Sequence, residues 1–504
     1  MNDKPQLLLI NPQITSRRGA RFPLSLLTLA GALEQSHACR LIDGNVDRDY
    51  LSTIHQVLST SRFDAVGISV MGGPQIKTAI EASMRVRTSA PRTPIVWGGY
   101  FPTLYADTAL NAPYVDFAVR GPGEATFAEL LTAVTGREPE ALESIRGLSW
   151  KLDGAIVRNP DRAPEDRRAA TILPYHLLGD PRAYLAKTFL GRRTAAHQAS
   201  MGCRFRCTFC GVAAMFGGAT RLPPAARLER DLTWLRDGLG ADSIQYFDHN
   251  FFDREADMVP LLEVMARFEL PWWCYARADA LLNLSASSWA LVRKSRLRMA
   301  YIGAESPNDA MLKSIRKGTS SDQTLAVAEL CRRHGVIPEL SFMVGNPENP
   351  VGETERTFEF IRQVKRVNQE SEIIVYIYTP LPPESLPANS RARAMAAPIL
   401  DGSGAPLRFP TTPEEWTEKR WVDYACHADA PWLSDDLRQR ITNFVTVLGC
   451  RFPTVQDTRS PSWSKLTLRA LASWRYRFRR YDHPWELALS KKLIRLADPR
   501  VTGI

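Results

Sequence analysis

Cysteine is scarce in this sequence, 8 in 504 residues, and five of them, Cys39, Cys274, Cys331, Cys426 and Cys450, stand alone. That excludes a disulfide framework and points to a reducing compartment. Long apolar runs are missing as well. No stretch approaches the roughly 18 apolar residues of a membrane span. The N-terminus MNDKPQ leads only into Leu7 to Ile10, too short for a signal segment, so a soluble, cytoplasmic protein is expected. No G-x-G-x-x-G follows the first strand-like run, which disfavours a dinucleotide. With 44% hydrophobic and 23% charged residues the balance is globular, without a disordered block. A chain of 504 residues suits two or three domains. The net charge of +10 suits anionic partners, but much of the excess lies near the C-terminus.

The cysteines that do cluster are the informative ones. MGCRFRCTFCGV, residues 201 to 212, sets Cys203, Cys207 and Cys210 in a C-x3-C-x2-C spacing. Chance would supply roughly 0.002 such triplets in a chain of this composition. Three soft thiolates so close can hold one metal centre if the loop is compact and its amides turn inward. Three is also one short of a closed site, so an iron without a thiolate is left to bind a small molecule. The alternative is a zinc site completed by a distant histidine such as His197 or His249, although zinc ligands usually come as C-x2-C or H-x3-H pairs. The loop resembles that of the radical S-adenosylmethionine (radical SAM) superfamily. The resemblance implies a 4Fe-4S cluster on the three cysteines, with SAM chelating the open iron.

The N-terminal third alternates short apolar runs with helical patterns: QLLLINP, FPLSLLTLAGALEQ, CRLIDG, DAVGISVMGG, a helix near 74 to 89, TPIVWGG, VDFAVRGPGE and FAELLTAV. Strands separated by helices in this way predict a parallel, Rossmann-like, doubly wound α/β sheet over residues 1–150. Its carboxyl edge would present Asn11, Ser69, Met71, Gly72, Gly98, Gly99, Gly121 and Glu124, at the place where open α/β sheets bind ligands. Clustered glycines there let backbone approach a phosphate or a large planar ring. FPLSLLTLAGAL, GISVMGG, WGGYFPT and VRGPGE, ahead of a radical SAM loop, look like the cobalamin-binding domain of cobalamin-dependent radical SAM enzymes. That family often has GG-x-H-x-T and RGEGE at the last two positions. Here Phe101 replaces the histidine and Pro122 a glutamate. The D-x-H-x-x-G signature of other cobalamin proteins is absent, since Asp43-Gly44-Asn45 carries no such histidine, so no protein imidazole is expected on cobalt.

A charged, proline-rich linker, residues 151–190, precedes the cysteine loop. A second βα series then runs through SIQYFDHNFF, WWCYARAD, MAYIGAES, PELSFMVGNPE and EIIVYIYTPLP. With the strand before Cys203 it predicts a partial, (β/α)6, TIM-like barrel over 191–385, with functional groups at strand carboxyl ends. Asp248, Arg277, Glu305, Ser306 and Gly345 fall there. SAM needs an acceptor for its ammonium, a carboxylate for its ribose diol and backbone for its adenine. The resemblance assigns Asp248 to the SAM amino group, Glu305 to the ribose, and Gly345 and Phe209 to the adenine side. The bland alternatives are a helix cap for Asp248, an ion pair with Arg277 for Glu305 and a simple turn at Gly345.

From about Pro382 the rhythm stops, and 386–504 reads as a mostly helical C-terminal domain. Such regions shape the barrel mouth in the resembled family, which makes Trp416, Trp421, Tyr424 and Trp432 candidates for substrate contact. The basic, aromatic tail SWSKLTLRALASWRYRFRRYDHPW suits a membrane surface or nucleic acid. A solvated helix with its aromatic face on the core is the commoner origin of such a pattern and is the expectation here; nucleic acid is not an expected partner. The resemblance implies an enzyme using a 4Fe-4S cluster, SAM and cobalamin, fed by an electron donor such as flavodoxin or ferredoxin. The leading expectation is a methyltransferase acting on an unactivated carbon of a small molecule. A cyclase or ring-rearranging oxidoreductase is the alternative, and a metal-binding nucleic-acid regulator the third reading. No catalytic acid/base pair is evident.

Overall fold

The computed structural model of the chain describes residues 4–136, 138–163, 171–382, 399–458 and 460–494. Its first layer is set by runs apolar on both faces. In β1 (Gln6–Asn11) the four central residues are all buried, which suits the middle of a parallel sheet covered on both sides. Around it lie β2 (Ala38–Asp43), β3 (Ala65–Ser69), β4 (Ile95–Gly98) and β5 (Phe117–Val119), all parallel, in the order β2-β1-β3-β4-β5. Helices Leu24–Leu33 and Glu124–Gly136 cover one face, and Tyr50–Thr60 and Gln75–Ser89 the other. The sheet does not stop at residue 150. β6 (Leu148–Leu152) and β7 (Ala155–Arg158) extend it as an antiparallel hairpin, turning at Asp153 and Gly154 with φ of 50° and 83°. An Asp-Gly pair between short apolar runs is a strong hairpin signal, and it went unread in the sequence.

The second layer is the partial barrel. After β8 (Thr194–His197), a two-residue ladder joins β9 (Met201–Gly202) to β10 (Thr220–Arg221) and closes the base of the cysteine loop. The barrel continues through β11 (Ser243–Tyr246), β12 (Trp272–Ala276), β13 (Leu297–Glu305), β14 (Ile337–Val344) and β15 (Glu372–Ile377), six parallel strands with β8, in the order β15-β14-β13-β12-β11-β8. Inside, Phe247, Trp273, Tyr275 and Tyr301 form a continuous aromatic wall with ring centroids 4.7 to 6.2 Å apart. Arg21, from the N-terminal domain, stacks over Phe247 at 4.2 Å.

The C-terminal helices divide their work. Trp416, Trp421 and Tyr424, candidates for substrate contact, are instead buried and join the N-terminal core, where Trp416 meets Phe101 edge-on at 5.9 Å. Two of that group reach the barrel rim: Trp432 donates to the Gly345 carbonyl at 2.7 Å, and the Tyr424 hydroxyl to the Pro380 carbonyl just past β15 at 2.6 Å. Beyond helix Asp435–Arg451, Gln456 bonds Glu339, and the Val455 amide donates to Glu372 at 2.8 Å, so this segment covers the amino-terminal end of β14 and β15. The tail departs from expectation: its largest aromatics face outward, with Trp463 69% and Trp485 71% exposed. Among the described residues no helix is long and apolar enough to cross a membrane. Of the 151–190 linker, residues 164–170 lie outside the described residues, as does most of the stretch around the 385/386 boundary.

Candidate functional site

The cysteine loop is fixed from both ends. Gly202 enters it at φ 82°, where a side chain would strike the Ala219 carbonyl. Thr208 ties its middle to the Ile315 carbonyl at 3.1 Å, and Cys210 leaves it as the residue preceding helix Gly211–Phe216. The amides do turn inward: Phe205 donates to the Cys203 sulfur, and Val212 and Ala213 donate to that of Cys210. Burial nonetheless pushes the Cys210 thiol up to about 11 and raises Cys203, with the neighbouring cysteines adding to both. Three sulfurs that feel each other's charge in a half-buried loop, with amides aimed at them, suit a cationic metal centre. Among the described residues no three His, Cys, Asp or Glu side chains converge on a single ion. A cluster spreads its thiolates over several irons and so does not require that convergence.

Neither histidine of the zinc alternative is available. His197 is fully buried beside Asp231 at 3.5 Å, and burial lowers it to about 3. His249 accepts the Gly202 amide on Nδ1 at 3.0 Å and meets the Tyr100 hydroxyl with Nε2 at 2.8 Å. Burial lowers it to about 4, so the neutral ring carries its proton on Nε2 and donates it to Tyr100.

The barrel rim brings the SAM candidates together, each already engaged. Asp248 accepts from the Ala199 amide at 3.0 Å and from the Ser200 hydroxyl at 2.6 Å, steadying the approach to the cysteine loop rather than capping a helix. Burial raises its carboxyl to about 6, against the pull of those bonds. Glu305 pairs with Lys317 at 2.7 Å, both buried, and not with Arg277. It sits at φ 63°, where β13 slips register against β14, a strained backbone of the kind that gathers at functional sites. Arg277 bonds Asp279 at 2.9 Å and the Lys317 carbonyl at 2.6 Å, and stacks on Phe205 at 3.5 Å. Ser306 is buried and accepts the Asn308 amide at 3.0 Å. Gly345 is more than a turn: at φ 75° it leaves no room for a side chain beside Leu433, and its amide is bonded to Thr354. Phe209 packs with Met311, Leu312, Ile315, Met343 and Tyr378, an apolar surface next to the loop.

Beside the loop, the carboxyl edge of the first sheet opens into a cleft of about 1040 Å³, counted together with the open solvent at its mouth. Ser69, Met71, Gly98, Gly99, Gly121 and Glu124 line it as expected. Asn11 and Gly72 do not. Asn11 turns sideways to Asp43 at 3.0 Å and to the buried Gln75 at 3.2 Å, and a side chain on Gly72 would point toward Ala425. At Gly98 a Cβ would meet nothing within 4 Å, whereas Gly99 (φ 100°) and Gly121 (φ 72°) hold conformations that side chains rarely adopt. A rim stripped of side chains above a wide cleft fits a flat macrocycle such as a corrin. Tyr100, Met201, Met215, Phe216 and His249 complete the wall from the barrel side and the domain seam. Sequence reasoning passed over Tyr100, although it directly follows the glycine pair. Among the described lining residues His249 is the one imidazole, and both its nitrogens are engaged.

Residues 13–131 match the family model of the B12 binding domain, and residues 198–361 that of the radical SAM superfamily. The chain belongs to the cobalamin-dependent radical SAM enzymes. This cobalamin-dependent radical SAM enzyme is 26% identical over 346 residues to an uncharacterized methyltransferase of Pyrococcus horikoshii, covering 68% of this chain and 73% of that one. It is 26% identical over 324 residues to the anaerobic magnesium-protoporphyrin IX monomethyl ester cyclase of Synechocystis, covering 62% and 63%. Its fold is that of TsrM from Kitasatospora setae, a radical SAM methyltransferase solved with cobalamin and a 4Fe-4S cluster bound, with a TM-score of 0.65 at 16% identity over 97% of this chain and 99% of the other.

Proposed function

We propose that this enzyme transfers a methyl group to an unactivated carbon of a small-molecule substrate, in the cytoplasm. The observation that carries the reading is that the glycine-rimmed cleft is walled by residues on either side of the cysteine loop, Met201 at its entry and Met215 and Phe216 on the helix that leaves it. When bound, the cluster and SAM supply a radical able to take hydrogen from carbon, and the corrin supplies a transferable methyl group. The chain's own part is to hold and aim. Cys203, Cys207 and Cys210 hold the cluster, and Phe209 with Met343 and Tyr378 offers an apolar bed to the adenine. Glu305, its buried charge balanced by Lys317, takes the ribose diol, while Asp248 positions the loop and faces the SAM amino group. The Phe247–Trp273–Tyr275–Tyr301 wall keeps water away from the reacting carbon. A flavodoxin- or ferredoxin-type protein delivers the electron.

The test is anaerobic turnover with methyl-labelled SAM, first with and then without bound cobalamin. Label in the product that disappears without cobalamin supports methyl transfer. A product that closes a ring without gaining label supports the cyclase reading, which the Synechocystis relative favours.

A further inference from the structure

The last two helices carry apolar residues on two faces. In helix Ser462–Arg477 the residues Ser464, Leu468 and Ala472, four apart, are fully buried. The opposite side presents Trp463 (69% exposed), Leu466 (68%), Trp474 (50%) and, just past the helix end, Phe478 (66%), with Leu471 (43%) at its margin. Helix Trp485–Ile494 repeats the division: Leu487 is buried, while Trp485, Leu489 and Leu493 are 71%, 53% and 75% exposed. Eight of the fourteen exposed large apolar side chains among the described residues thus fall between 463 and 493, which makes a patch rather than scatter.

Charge decides what covers the patch. Residues 462–494 contain eight Lys or Arg against two acids, Asp482 and Glu486. Glu486 is taken by Arg475 at 3.0 Å, and Arg469, Arg477, Arg480 and Lys492 remain exposed around the apolar stripe. A second copy of the chain would bring these cations face to face. A nucleic acid would gain nothing from Leu466, Leu489 and Leu493. Tryptophan, phenylalanine and leucine on one side with arginine and lysine at the margins match a bilayer bearing anionic headgroups.

We propose that helices Ser462–Arg477 and Trp485–Ile494 form a surface anchor that lies in the interface of an anionic membrane. The anchor sits well for this. Arg362 of the barrel helix Pro350–Val367 bonds Tyr476 and Tyr481 of the tail, and the segment before the tail covers the amino-terminal end of β14 and β15. Docking there leaves the carboxyl-end site open.

The test is flotation of the full chain with vesicles of phosphatidylcholine alone or with phosphatidylglycerol added, at low and high salt. Binding is expected only to the anionic vesicles and is weakened by salt. Replacing Arg469, Arg477 and Arg480 by Gln should weaken it on the order of a hundredfold, given roughly fivefold per basic residue. The triple variant Trp463→Ser, Phe478→Ser, Trp485→Ser should abolish it while the circular-dichroism melting curve stays in place, because these side chains are exposed. Absence of binding to either vesicle overturns the proposal. So does a stable dimer by light scattering that dissociates in the triple variant, or salt-sensitive binding to duplex DNA or RNA that outcompetes the vesicles.

Discussion

The two parallel sheets solve the same problem, binding at a carboxyl edge, by opposite means. The first presents backbone: Gly98, Gly99 and Gly121 hold side chains out of the cleft. The barrel presents charge: Glu305–Lys317, Arg277–Asp279 and Asp248 crowd its rim. A broad, flat ligand needs surface removed, whereas a compact zwitterion needs partners held in place. Substitutions at the two edges should therefore fail differently.

The largest effect lies between them. Cys207→Ala should abolish iron incorporation and SAM cleavage after anaerobic reconstitution, as read by iron analysis and methionine release. Next, Gly98→Leu should leave the melting temperature within a few degrees yet weaken corrin retention about ten- to hundredfold, measured from the absorbance of reconstituted protein. An unchanged corrin content would break the contrast between the edges. Glu305→Gln acts in the other way. It strands the buried Lys317 ammonium, so stability should fall by about 3–5 kcal/mol in denaturant titration, together with SAM affinity.

Glu339 offers a gain instead. Burial raises its carboxyl from 4.5 to about 7, with the bonds from Trp273 and Gln456 pulling it back. The folded state therefore holds a proton that the unfolded chain releases between those values, and stability falls as pH rises from about 4.5 through 7. Glu339→Gln should remove that slope and leave the variant about 3 kcal/mol more stable than the parent at pH 8. Unfolding midpoints measured from pH 5 to 8 would show whether the slope vanishes. The smallest change is expected for Tyr100→Phe, which deletes one hydrogen bond across the domain seam, at about 1 kcal/mol.

The regular parts of the fold were legible because their signals are local. Runs such as Leu7 to Ile10 are buried on both faces and bounded by loop residues, and only a covered parallel sheet accommodates that. The cysteine spacing specifies its own loop. What escaped depends on direction rather than composition. Asn11 and Ser69 both end strands, but the Asn11 side chain turns to Asp43 while Ser69 lines the cleft. The tail helix has two apolar faces, and periodicity alone does not say which one packs inward. The burial of Trp416 and Trp421 against the first domain arises from contacts roughly three hundred residues apart in sequence, as the Tyr114–Glu414 bond beside them shows.

The hydrogen bonds from Tyr100 through His249 to the Gly202 amide carry one more consequence. Gly202 immediately precedes Cys203, so the Tyr100 phenol in the cleft wall is tied through the buried imidazole to the residue that opens the cysteine loop. The wall of the cleft and the start of the cysteine loop are thereby held in one fixed register.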